Sequence, residues 1–353
     1  MEHVKKVQQL LSQHGIEGVL IMSPYNRRYV TNFTGSAGAA LLFSDKAYFI
    51  TDFRYVEQAK SQTSGYEIVQ HNKSLIEEVA KIVNEAKISK LGFEQDHIVY
   101  STWKKLEQSI EAETVPISNM IEELRMVKTE EEIHVIKEAA KIADAAFNHI
   151  LNYIKPGVAE LDIANELEFF MRKNGATSSS FDIIVASGKR SALPHGVASG
   201  KLIESGDFVT LDYGALYQGY VSDITRTVAV GNPSRQLKEI YDIVLAAQIQ
   251  AVDKIKPGMT GREADTIARD YINEKGYGDK FGHSLGHGIG LEVHEGPGLA
   301  SRSETKLVPG MVVTVEPGIY LPDIGGVRIE DDILITQNGN ETLTHAPKEL
   351  IIL

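Results

Sequence analysis

The chain has no cysteine among its 353 residues. Disulfides and thiolate metal sites are excluded, so any bound metal must be held by oxygen and imidazole. No apolar run approaches membrane-spanning length, and the opening Met1-Glu-His-Val-Lys-Lys-Val-Gln-Gln has no apolar signal core. A cytoplasmic protein is expected. Positive charge is in deficit: 36 Lys and Arg stand against 48 Asp and Glu, a formal net charge of −12. That argues against a nucleic-acid backbone or an anionic membrane as partner. There is no low-complexity segment, no long Pro/Gly/Ser linker and no His-Glu-x-x-His, which removes the helical zinc motif. What is present, 42% hydrophobic and 24% charged residues, is the composition of a globular protein long enough for two domains with full cores.

Residues 1–122 alternate short strand-like and helical patterns. Gly18–Met22, Ala39–Phe43, Ala47–Ile50, Leu91–Phe93 and Thr114–Ile117 read as strands, and Val4–Gln13 and Leu75–Ala86 as helices. The order mixes hairpin-like and helix-separated strands, so an α/β domain with a mixed sheet is expected. Residues 123–353 are expected to form an α+β domain, with helices on one face of a curved sheet. Its first helix opens on Thr129-Glu-Glu-Glu132, a capping box. Ile133, Ile136, Ala140, Ala143, Phe147, Ile150 and Ile154 keep a 3/4 spacing, a core stripe rather than a cofactor site, and Pro156-Gly157 is expected to stop that helix.

Phe208–Val228 reads as a β-hairpin around a turn at Tyr217-Gln218. With Leu216 facing Gly219, Asp212 lies directly opposite Asp223, where like charges repel. A divalent cation between the two carboxylates removes the conflict. The alternatives are two solvated acids or another register.

The chain also repeats itself. Ile154-Lys-Pro-Gly157 recurs as Ile255-Lys-Pro-Gly258, each before a helical stretch that stops near a glycine, Gly175 and Gly276. Gly206-Asp-Phe-Val-Thr-Leu-Asp212 aligns with Gly310-Met-Val-Val-Thr-Val-Glu316, which matches Asp212 to Glu316 and places Glu330 roughly where Asp223 lies. A duplicated helix-plus-hairpin unit about a pseudo-twofold axis brings four carboxylates to one point.

Gly282–Gly296 sets His283, His287 and His294 among five glycines. A helix is implausible there, and glycines let backbone approach a ligand closely. A single buried histidine is usually structural; three beside four carboxylates favour function. Glu316 closes an apolar strand, which is costly unless the acid is paired or metal-bound. In Val327–Ile335, alternation puts Arg328, Glu330 and Asp332 on one face and Ile329 and Asp331 on the other. An Arg328–Glu330 ion pair is the plain reading and does not exclude a ligand role. His195, in Leu193-Pro-His-Gly196, is a loop residue that decides nothing alone. Four acids and an imidazole suit two cations, which can lower the pKa of a shared water and clamp an oxyanion, while nearby imidazoles move protons. The implied chemistry is metal-assisted hydrolysis.

The order Asp212, Asp223, His287, Glu316, Glu330, in Leu-Asp-Tyr-Gly, Ser-Asp-Ile-Thr-Arg, Gly-His-Gly-Ile-Gly-Leu-Glu-Val-His-Glu, Val-Glu-Pro-Gly-Ile-Tyr and Arg-Ile-Glu-Asp, resembles the pita-bread metallopeptidases. Asn32–Gly38 and Thr51-Asp-Phe-Arg-Tyr55 resemble the creatinase-type N-terminal domain of their Xaa-Pro branch, the aminopeptidases P and prolidases. The resemblance implies an exopeptidase cutting between an N-terminal residue and proline, as dipeptidase or aminopeptidase. It implies two divalent ions, manganese first, with cobalt, zinc or iron also suited. Asp223 and Glu330 bridge them, Asp212 completes one coordination sphere, and His287 with Glu316 the other. Glu316 is also implied to take the proton of the attacking water, and His294 and His195 to contact the scissile carbonyl. His283 and Arg328 resemble substrate-contacting groups. Small peptides with proline second are the implied substrates, and a homodimer the implied assembly. A non-catalytic pita-bread peptide- or protein-binding domain and a broader aminopeptidase are the competing readings.

Overall fold

The computed structural model describes residues 2–353. It contains two compact units, divided between Arg125 and Met126.

The N-terminal unit is built on a six-stranded mixed sheet. Its strands are β1 (Gly18–Ile21), β2 (Ala39–Phe43), β3 (Ala47–Thr51), β4 (Glu67–Gln70), β5 (Lys90–Glu94) and β6 (Glu113–Ile117), in the order β4-β3-β2-β1-β5-β6. β1, β2 and β3 pair antiparallel; β3 with β4, and β1 with β5 and β6 beyond it, are parallel. The central strands are buried on both faces, which explains their unbroken apolar runs. Edge strand β4 was not legible in the sequence, because its four residues are short and half-exposed. Pro24–Thr31, Val56–Gln62, Tyr100–Ser109 and Met120–Met126 are helices that apolar periodicity did not single out. Leu20, Leu41, Ile50, Val79, Val83, Leu91 and Leu106 form the main core of this unit.

The C-terminal unit carries the repeat. Helix Glu130–Ile150 opens on the Thr129/Glu132 capping box, and helix Gly261–Glu274 on a second, Thr260/Glu263. The first helix ends at Ile150, before Pro156-Gly157, and the chain turns before burying Ile154. Matched glycines share matched conformations: φ is 89° at Gly157 and 90° at Gly258, and 98° at Gly206 and 93° at Gly310. These are left-handed values that side chains resist. The amide of Gly157 donates to Ile203 O at 2.9 Å, and that of Gly258 to Leu307 O at 2.8 Å. The duplication seen in sequence is therefore a duplication of backbone path.

The short strands β7 (Ser178–Ser179) and β8 (Ile184–Ser187) precede the first hairpin, which runs β9 (Phe208–Tyr213), β10 (Ala215–Tyr217), β11 (Tyr220–Val221) and β12 (Ile224–Ala229). Its turn is Gln218-Gly219, with φ of 47° and 84°, not Tyr217-Gln218. Two positive φ values suit the tight turns that match strand twist, and glycine takes the second. Moving the turn by one residue shifts the register. Tyr217 pairs with Tyr220 and Asp212 with Thr225, so Asp223 is diagonal to Asp212 rather than opposite it. Asp223 and Thr225 are two apart, so both acids keep one face.

Strands β13 (Gly286–Gly288) and β14 (Glu295–Leu299) precede the second hairpin, which runs β15 (Val312–Val315), β16 (Gly318–Leu321), β17 (Gly325–Arg328) and β18 (Asp331–Ile335). Here the opposition expected of the first hairpin does occur. Val315 pairs with Asp331 and Gly318 with Arg328, and this continuous register sets Glu316 across from Glu330. The two hairpins meet edge to edge: Glu330 N donates to Thr225 O at 3.1 Å, and Thr227 Oγ1 to Arg328 O at 3.0 Å.

Candidate metal centre

His195, Asp212, Asp223, His283, His287, His294, Glu316, Arg328 and Glu330 line one cavity of about 510 Å3. A larger hollow of about 770 Å3 in the N-terminal unit is lined by Glu17, Asp45, Glu67, Glu78 and Glu85 with Lys46 and Lys81 among them, and it has no histidine among its described lining residues.

Asp212 comes from β9, Asp223 from the break before β12, and Glu330 from the break before β18. One carboxylate oxygen from each lies within 4.8 Å of the others, and all three residues are buried. Burial pushes the carboxyls of Asp223 and Glu330 well above the usual range, and neighbouring acids push them further. Asp212 is also raised by burial, with the Arg328 guanidinium opposing. Thr225 Oγ1 donates to Glu330 Oε2 at 2.6 Å, and the amide of Asp223 donates to Asp332 Oδ2 at 2.9 Å.

His287 sits on β13 and faces this group. Its Nε2 lies 3.3 Å from Glu316 Oε1 and 3.9 Å from Asp223 Oδ2. Its Nδ1 is 3.1 Å from Gly288 O, a contact that requires the proton on Nδ1. For a neutral ring, Nε2 is then a lone pair aimed at two carboxylates. Burial lowers the His287 pKa, but the Glu316 hydrogen bond and charge outweigh it and the net direction is up. For Glu316, burial pushes upward and His287 pulls harder the other way, so the net is down. Thr314 Oγ1 donates to Glu316 Oε1 at 3.2 Å.

Arg328 is buried, and its partner is Asp212 rather than Glu330. It also donates to Tyr320 Oη at 2.8 Å and Thr225 Oγ1 at 3.1 Å. Tyr320 Oη lies 2.8 Å from His283 Nε2, and His283 Nδ1 lies 2.8 Å from Ser284 O. Burial holds the His283 pKa down. His294 is exposed on the loop after β13, with its ring edge-on to His287 at a centroid distance of 4.4 Å. His195 is exposed on a turn at the cavity wall. The opposite chemistry lines the same space: Phe181, Ile184, Val197 and Val293.

Asp332 and Tyr320 were assigned no role from the sequence. Asp332 had a signal, since alternation put it on the Arg328/Glu330 face. Tyr320 had only its place in Val-Glu-Pro-Gly-Ile-Tyr. Asp331 faces away, as alternation requires, and accepts from Arg226 at 2.8 Å, Gln248 at 2.8 Å and Lys348 at 2.7 Å.

The model of metallopeptidase family M24 matches residues 134–337, and that of the creatinase/prolidase N-terminal domain matches residues 3–127. This chain belongs to that metallopeptidase family. The curated Xaa-Pro dipeptidase of Pyrococcus horikoshii is 45% identical over 353 residues, covering 99% of each chain. A solved Xaa-Pro dipeptidase from Bacillus anthracis has a TM-score of 0.99 at 64% identity, covering 100% of this chain and 99% of its own. A solved X-Pro aminopeptidase from Thermotoga maritima has a TM-score of 0.92 at 42% identity, covering 99% and 100%. The fold is the pita-bread fold with a creatinase-type N-terminal domain.

Family membership implies divalent metal ions, and the donor set of this metallopeptidase fits them. Asp223 Oδ1, Glu330 Oε1 and Asp332 Oδ1 are buried without a hydrogen-bond partner. Such orphaned oxygens are costly unless a cation meets them. Oxygen and imidazole donors, with no thiolate, suit a hard or borderline divalent ion.

Proposed function

We propose that this protein is an exopeptidase that hydrolyses the bond between an N-terminal residue and proline, using two divalent ions, manganese first among them. Asp212, Asp223 and Glu330 would hold one ion. His287 and Glu316 would hold the other, with Asp223 and Glu330 shared. The observation that carries this reading is the acceptor conflict: Nε2 of His287 faces carboxylate oxygens of Asp223 and Glu316 at 3.9 and 3.3 Å. Only a positive charge between them, proton or metal, makes that arrangement favourable. The relatives named Xaa-Pro dipeptidase and X-Pro aminopeptidase support the substrate class.

When bound, such ions activate water near neutral pH and polarise the scissile carbonyl. The chain's own groups do the rest. Thr314 donates to Oε1 of Glu316, which leaves Oε2 to take a proton from the attacking water. His294 and His195, both at the cavity surface, donate hydrogen bonds to the carbonyl oxygen as charge develops on it. His287 lies against His294 and holds its ring in place. The Arg328–Asp212 pair fixes the Asp212 carboxylate, and the Tyr320 hydroxyl ties Arg328 to His283. Proline calls for a dedicated enzyme, because an Xaa-Pro bond has no N–H for a general peptidase to grip. We also propose that the protein works as a homodimer.

The test is hydrolysis of Xaa-Pro and Xaa-Ala peptides by metal-stripped protein reloaded with manganese, cobalt or zinc, with metal content measured alongside. About two ions per chain and a kcat/KM at least about tenfold higher on proline are expected, a difference of ~1.4 kcal/mol. Equal rates on alanine and proline would make it a broad aminopeptidase. Full metal content without turnover would favour a peptide-binding member of the family.

A further inference from the structure

Two hollows of the C-terminal unit adjoin at the proposed carbonyl-binding histidine. The inner one, of about 510 Å3, contains the acid cluster. The outer one, of about 430 Å3, is lined by Asp279, Lys280, Gly282, Tyr320 and Pro322. Pro194, His195 and His283 line both, while the apolar Phe181, Ile184 and Val293 belong to the inner hollow alone. A peptide with its amine at the acid cluster and its scissile carbonyl at His195 therefore has open space beyond that histidine.

Charge gives an independent argument. Among the described residues, Arg328 is the one lysine or arginine that lines the inner hollow. Each of its side-chain nitrogens is already engaged: Nε with Thr225, Nη1 with Tyr320 and Nη2 with Asp212. The carboxylate of a dipeptide lies one residue past the scissile bond, and the one guanidinium lining that space already has a carboxylate partner in Asp212. Lys280, in the outer hollow, is the next cation, held at 2.7 Å by the exposed Asp279. Exposed pairs of this kind exchange partners at little cost.

We propose that the outer hollow receives the residue that follows proline, so that peptides of three or more residues are substrates, with Lys280 meeting the carboxylate of a tripeptide. This rests on the Xaa-Pro reading above. It makes the protein an aminopeptidase in reach, whatever its rate on dipeptides.

Gly282 offers a clean probe. A Cβ added there meets no atom within 4 Å, and Gly282 lines the outer hollow, so a larger side chain has room and is expected to narrow that hollow. The experiment compares kcat/KM of the manganese-loaded full chain on Ala-Pro, Ala-Pro-Ala and amidated Ala-Pro-Ala. Wild type should cleave the tripeptide at least as well as the dipeptide. Gly282→Leu should lower the tripeptide-to-dipeptide ratio by about fivefold or more, the scale on which a filled pocket discriminates. Lys280→Ala should lower the ratio about two- to fivefold for the free acid and leave it unchanged for the amide. Cleavage of Ala-Pro without Ala-Pro-Ala, or a ratio that Gly282→Leu does not move, overturns the inference and leaves the Xaa-Pro reading standing. Loss of both substrates in metal-replete wild type overturns that reading and the inference with it.

Discussion

Removing the metal should destabilise the C-terminal unit by an amount that the acid cluster sets. Asp223 Oδ1 and Glu330 Oε1 are buried with no partner in the protein. Leaving a buried polar atom unsatisfied costs about 1–3 kcal/mol, so the pair accounts for roughly 2–6 kcal/mol. Mass action gives a compatible figure: an ion present at about 100 times its Kd stabilises the folded state by ~2.7 kcal/mol. For a unit of this size each kcal/mol moves Tm by about 2–4 °C, so manganese should raise the Tm of chelated protein by roughly 5–11 °C. Calorimetry of chelated protein across a manganese titration measures it. The control is the double variant Asp223→Asn with Glu330→Gln, which removes two carboxylates that burial and neighbouring acids hold far from their ordinary pKa. It should show no manganese-dependent gain, and its metal-free Tm should equal or exceed that of metal-free wild type. An equal manganese-dependent rise in the double variant, or none in wild type, would refute the reasoning.

His294→Ala should lower kcat by about 10²–10⁴, the scale of a lost oxyanion or proton-transfer group, while metal content by elemental analysis stays near wild type. An emptied site in that variant would make His294 a ligand. Gly214→Ala should cost about 1–3 kcal/mol or more in urea unfolding, because its Cβ would collide with Ser222 O, next to Asp223, just where the chain leaves the strand that carries Asp212. Metal content should fall with it. Lys128 and Glu295 form an ion pair at 2.7 Å with side chains only 1% and 6% exposed. Lys128→Met should cost about 3–5 kcal/mol in urea unfolding, because it removes one partner of a buried ion pair.

Much of the architecture was legible because it rests on local rules. Apolar runs marked the buried strands β1 to β3, and the capping-box pattern marked the start of helix Glu130–Ile150. The internal repeat was legible because its glycines hold φ values that other residues resist. The same repeat pointed to Glu316 and Glu330 as partners of Asp212 and Asp223. The hairpin register was not legible: one residue of turn position decides it, and Gln218-Gly219 rather than Tyr217-Gln218 takes the two positive φ values.

By itself, then, the sequence determined which atoms were available: no thiolate, and acids and imidazoles in a fixed order along two similar hairpins. Tertiary structure alone decided which of them meet. Arg328 bonds Asp212 across 116 residues of chain, and Thr225 bonds Glu330 across 105. Asp332 caps the amide of Asp223 from 109 residues away. No local propensity specifies such contacts. They exist because two copies of one backbone path pack edge to edge, and that packing turns three buried acids into one site.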